Sequence, residues 1–195
     1  MRVFVAILVS TAFPFSNAMA QQGPKWNVFF YGSAVRDQTT RPSTLNSACW
    51  EDKTNFGPGF MIGPARERTE TSIGLEFGFL YLGEHTNTSN CTPPMQIATS
   101  VIPFKLVYLI PVGDRVTVAP KVGVSYMSVN GTFGAQSGSG HSVDPMFGLH
   151  VEVDLSREWG LRGQIERYTG SVDLFGLGTF SQRFVVASFG GVLRW

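Results

Sequence analysis

The stretch GLHVEVDLSREWGLRGQIERY, residues 148–168, decides how the chain is read. Leu149, Val151, Val153 and Leu155 alternate with His150, Glu152 and Asp154. After Ser156, Arg157 and Glu158 the pattern resumes, with Trp159, Leu161 and Ile165 set against Arg162, Gln164 and Glu166. A period of two sends successive side chains to opposite faces of a strand. The stretch therefore reads as a hairpin with one apolar and one charged face, and the medium on each face becomes the question.

Working outward, the same alternation recurs in eight segments: 26–36, 54–64, 70–83, 96–111, 115–129, 143–155, 159–171 and 183–195. Short connections at 65–70, 112–115 and 156–158 alternate with longer ones rich in Gly, Ser, Thr and Asn at 37–53, 84–95, 130–142 and 172–182. In an up-and-down meander this places all the long connections at one end, as expected of a transmembrane β-barrel. Gly 22 and Phe 16 in 195 residues also argue for strands over helices. Beyond the N-terminus, the longest apolar run, 101–112, is interrupted by Pro103 and Lys105, so no segment reads as a membrane-spanning helix.

Sorting each segment by parity gives two sets. One is aromatic and β-branched, including Phe30, Phe60, Phe77, Phe104, Val124, Leu149, Ile165 and Phe189, and is free of charge across the central spans. The other carries Glu76, Lys105, Lys121, His150, Glu152, Asp154, Arg162, Gln164, Glu166 and Arg194, with glycines between them. A solvated face has no reason to be so uniformly apolar, whereas lipid demands freedom from charge. Four acids against four bases suit a narrow bore, where burial of ions is tolerable only if they pair. The predicted fold is all-β: an eight-stranded antiparallel up-and-down transmembrane β-barrel with its oily side toward lipid and a filled, charge-paired lumen.

The N-terminus, Arg2 followed by VFVAILVSTAFPF and SNAMA, reads as a signal peptide over residues 1–20, cleaved after Ala18-Met19-Ala20, which leaves a barrel domain over 21–195. Loss of Arg2 takes the charges from 15 bases against 14 acids to 14 against 14, with no basic excess for nucleic acid. Export permits disulfides, and Cys49 and Cys91, both in polar turn-rich text, are expected to bridge two loops. Two cysteines, with His85 the nearest third ligand, do not make a zinc site, and no cofactor is implied.

The ending SFGGVLRW sets Phe189, Leu193 and Trp195 on one face. With this ending and the segment DPMFGLHVEVDLSREWGLRGQIERY, the chain resembles the small Gram-negative outer-membrane β-barrels of the OmpA/OmpX type over nearly all of its mature length. The resemblance implies outer-membrane residence among lipid and lipopolysaccharide. It also implies recognition of Phe189, Leu193 and Trp195 by the barrel assembly machinery, with Trp in place of the usual terminal Phe. It implies no cell-wall tether, there being no room for a peptidoglycan-binding domain.

Function is expected to be structural, in envelope integrity. The alternative is adhesion or ligand binding through the extracellular loops, whose apolar residues include Trp50, Phe133, Leu174, Phe175, Leu177 and Phe180. An enzyme would need Glu84 with His85, or His141 with Ser142 and Asp144. Adjacent strand residues point apart, which disfavours the second set. His150 beside Glu152 could sense protons, although a packed lumen residue is the plainer reading, and a filled eight-stranded bore seldom conducts. The N-x-[ST] matches at Asn87, Asn90 and Asn130 carry no information in a bacterial outer membrane.

Overall fold

The computed structural model describes residues 26–38, 54–64, 71–86, 94–174 and 179–195. The strands are β1 (Trp26–Asp37), β2 (Thr54–Pro64), β3 (Ser72–Thr86), β4 (Met95–Val112), β5 (Val116–Phe133), β6 (Gln136–Asp154), β7 (Trp159–Asp173) and β8 (Thr179–Arg194). Each pairs antiparallel with the next, and β8 returns to β1 to close a barrel. Closure leaves no unpaired sheet edge, a requirement for any sheet in hydrocarbon.

Turn chemistry explains the tight end. Gly113 takes a left-handed φ of 71° in the β4–β5 turn. In the β6–β7 turn the Ser156 hydroxyl accepts hydrogen bonds from the backbone N–H of Glu158 (3.2 Å) and Trp159 (3.0 Å). By the usual asymmetry this short-turn end is periplasmic.

The long-connection end differs from expectation at one place. Residues 130–142 are not a loop. The ladder runs without a break from Val116↔Val153 to Phe133↔Gln136, and Gly134 (φ 59°) and Ala135 alone turn the chain. The Gly/Ser-rich text that suggested a loop is strand all the same, because consecutive residues on both strands find backbone partners. At about 3.3 Å per residue and about 40° tilt, the seven steps from Tyr126 to Phe133 carry the hairpin about 18 Å further.

The parity assignment holds. Phe77, Phe104 and Leu149 are 44, 55 and 41% exposed on the outside, whereas Lys121 and Glu152 are 1 and 3% exposed within. Outward residues from Trp195 to Val185 on β8 span ten steps, about 25 Å by the same rise and tilt, the height of an outer-membrane apolar band. Trp26, Trp159 and Trp195 all face out at its short-turn end, forming an interfacial belt. Trp26 and Trp195 exchange backbone hydrogen bonds there.

Inside, charge fills only part of the bore. Toward the open end the lumen is packed with apolar side chains, among them Leu80, Val101, Met127, Val172, Phe180 and Phe184. Glycines make space for the largest groups. A Cβ on Gly59 would lie 2.4 Å from the Tyr31 ring, and one on Gly160 would lie 2.6 Å from an Arg194 guanidinium nitrogen.

Candidate functional site

The ionic part of the lumen assembles from six strands. Register sets Glu76 opposite Lys105 and Glu152 opposite Arg162 on neighbouring strands, and the side chains then reach across the bore. Arg194 binds Asp154 and Glu152, both at 2.5 Å. Glu152 continues to Arg162 at 2.6 Å, and Arg162 to Glu76. Glu76 takes Lys121 at 2.7 Å and Lys105 at 3.5 Å, and Lys105 reaches Glu166 at 2.5 Å. Tyr168 closes the chain by donating to the second Glu166 oxygen at 2.5 Å, and Lys121 also donates to Gln164 at 2.8 Å.

The balance matters energetically. Ions taken out of water are costly unless each is paired and its remaining hydrogen-bonding capacity is used. Each of the four acids and four bases touches at least one opposite charge. β1 supplies no charge to this network; its Phe29 ring stacks on Tyr31 (4.6 Å) and lies under the Arg162 guanidinium at 5.0 Å. Replacing Tyr168 by Phe removes one donor to Glu166 and is expected to cost about 1–3 kcal/mol, read from the urea unfolding midpoint in lipid.

His150 sits among these groups but not in their chain of contacts. It is buried, and both ring nitrogens lack a hydrogen-bond partner among the described residues. Glu152, the neighbour noted in the sequence, is engaged instead by Arg162 and Arg194.

Other candidates separate. His141 faces outward, stacked on Tyr126 at 5.9 Å, while Ser142 and Asp144 turn inward with buried oxygens. The catalytic set is thus split between the two faces of β6. Glu84 is exposed and bonded to Gln96; the His85 side chain lies outside the described residues. No group of three or more His, Cys, Asp or Glu among the described residues could hold a metal. Phe189, Leu193 and Trp195 share the lipid face of β8 and its end. Cys49, Cys91, Trp50, Phe175, Leu177 and residues 1–25 lie outside the described residues.

Two loop residues read as exposed are not. Leu174 and Phe180 are fully buried in the apolar plug, and Phe133 packs against it. Both fall in segments expected as exposed binding loops, although Phe180 keeps the inward parity of Gln182 and Phe184.

The outer membrane protein beta-barrel domain matches residues 5–189. No curated protein sequence matches the chain. Among solved structures, Neisserial surface protein A (NspA) aligns with a TM-score of 0.63 at 10% identity, over 87% of this chain and 97% of that one. OprG from Pseudomonas aeruginosa aligns at 0.61 and 10%, over 89 and 96%. Ail of Yersinia pestis, in complex with the heparin analogue sucrose octasulfate, aligns at 0.53 and 10%, over 88 and 99%.

Proposed function

Because the chain belongs to the outer membrane protein beta-barrel domain family, we propose that it is a structural, non-catalytic barrel of the Gram-negative outer membrane that contributes to envelope integrity. The observation that supports this reading is the filled bore: a continuous run of ion pairs below and an apolar plug above. Passage of water or solute through these described residues would have to break several buried contacts at once. In planar bilayers the purified barrel is expected to give no steady conductance. Its deletion should sensitise cells to detergents, and re-expression should restore resistance; stable open channels, or an unaltered envelope in the deletion strain, would overturn the reading.

Two further assignments belong to it. Phe189, Leu193 and Trp195 act as the assembly signal, so Trp195→Asp should lower the folded yield in cells more than refolding in detergent. Cys49 and Cys91 form a bridge, so the exported protein should resist alkylation until it is reduced.

One observation favours a binding role as the second reading. The projecting wall from β3 to β6 carries a groove of about 480 Å³ lined by Glu84, Gln96, Asn130, Thr132, Ser137 and Ser139. Its hydroxyls and amides suit an uncharged polyol. With no base among its lining residues, it does not suit a sulfated ligand of the kind bound in the Ail complex. Replacing residues 131–138 by Asn-Gly keeps the Asn130↔Ser139 register and a two-residue turn. Lost cell attachment in a barrel of unchanged stability would establish binding.

A further inference from the structure

Three arginines outside the lumen network face outward at one place on the wall, and among the described residues no carboxylate pairs with them. Arg36 on β1, Arg183 on β8 and Arg167 on β7 are exposed and share the parity of the lipid-facing residues of their strands. Register brings them together. Val185 pairs with Arg36 on one side and Arg167 on the other, and Arg183 is the next outward position above it. With strands about 4.8 Å apart and outward positions about 6.7 Å apart, the three stems rise from a patch about 10 Å across.

Among the described residues of β1, β2, β6, β7 and β8 one acid faces outward, Asp173, six residues beyond Arg167 on β7; the other carboxylates of these strands, such as Asp37, Asp144 and Glu152, point into the barrel. Arg167 has a ring partner, its Cζ lying 5.7 Å from the Phe147 centroid. Height is equally telling. Val185 stands about 25 Å above the Trp195 belt, at the outer limit of the apolar band, where arginine is tolerated beside headgroups but not among acyl chains.

Directly beneath lies a groove of about 530 Å³, open toward lipid. Gly32, Ala34 and Ala187 form its floor, and Phe56, Pro58 and Phe189 its walls. The Ala34↔Ala187 pair is one outward step below Arg36↔Val185. The walls stand proud, Phe56 being 79% and Phe189 63% exposed. Gly32 has no left-handed φ, and a Cβ there would meet nothing within 4 Å. The barrel itself therefore does not require glycine, and any larger side chain would fill the groove.

We propose that this patch binds the lipid A part of lipopolysaccharide, with its phosphate on the arginines and one acyl chain in the groove. Guanidinium forks bind phosphate bidentately, and three of them converging favour a headgroup richer in phosphate than a single glycerophosphodiester. The proposal rests on the membrane placement above, not on the structural role.

The test is native mass spectrometry of the full barrel refolded in detergent, titrated with purified lipid A, with dephosphorylated lipid A and with phosphatidylglycerol. Wild type should bind lipid A at least tenfold more tightly than either other lipid. The Arg36→Gln, Arg167→Gln, Arg183→Gln triple variant should lose that tenfold, and lysine at the three positions should restore part of it. Gly32→Leu with Ala187→Leu keeps every cation and should still weaken lipid A binding several-fold. Arg115→Gln with Arg157→Gln, in the periplasmic turns, should leave it unchanged. Equal binding of phosphatidylglycerol, or wild-type affinity in the triple variant, overturns the proposal. Should the triple variant fail to refold, undiminished affinity in the groove variant does so alone.

Discussion

Replacing Arg162 by leucine is expected to destabilise the barrel by about 3–5 kcal/mol, the range for stripping one partner from a buried ion pair. Arg162 joins Glu76 to Glu152 and so links the two ends of the ionic network. Without it the lumen keeps four acids against three bases, in a place water does not reach. Urea unfolding in lipid, with Arg162→Leu beside wild type, reads the cost directly. Removing the facing acid as well, in Arg162→Leu with Glu152→Leu, should recover much of the loss, because an apolar pair of similar volume often replaces a buried salt bridge at little cost. A single variant within about 1 kcal/mol of wild type would mean that the bore is hydrated and its ions individually cheap.

Introducing arginine at Leu149 is expected to cost about 2–4 kcal/mol, the penalty for a cation near the bilayer midplane on the lipid face. Leu149 lies about midway between Val153 at the periplasmic end of β6 and Val143 near the outer boundary, all three facing out. Ser139→Arg, ten residues along the same strand on the projecting hairpin, should change stability by no more than about 0.5 kcal/mol. The contrast is the informative quantity, since both variants add the same side chain to the same strand face. Equal effects would place the two residues in one medium and remove the membrane boundary between them.

Alternation located all eight strands, and the absence of charge from one parity told inside from outside, because a period of two leaves one binary choice and lipid accepts only one of its answers. Ends were less legible. The segment 130–142 looked like a loop because Gly and Ser lower strand propensity, yet ladder pairing with β5 overrides propensity when every partner is in place. Leu174 and Phe180 are hidden for a related reason: their inward parity shows only because β7 runs on to Asp173 and β8 begins at Thr179.

The candidate site divides along the same line. The sequence by itself determined which ions share the bore and that acids balance bases, since both follow from parity and count. Only tertiary structure decided who meets whom: that Arg162 spans Glu76 and Glu152, that His150 stays outside the chain of contacts, and that Arg36, Arg167 and Arg183 converge over one groove. These depend on strand register and closure of β8 onto β1, which join residues far apart in the chain. A local pattern specifies the face of a strand but not the shear that sets its height beside its neighbours.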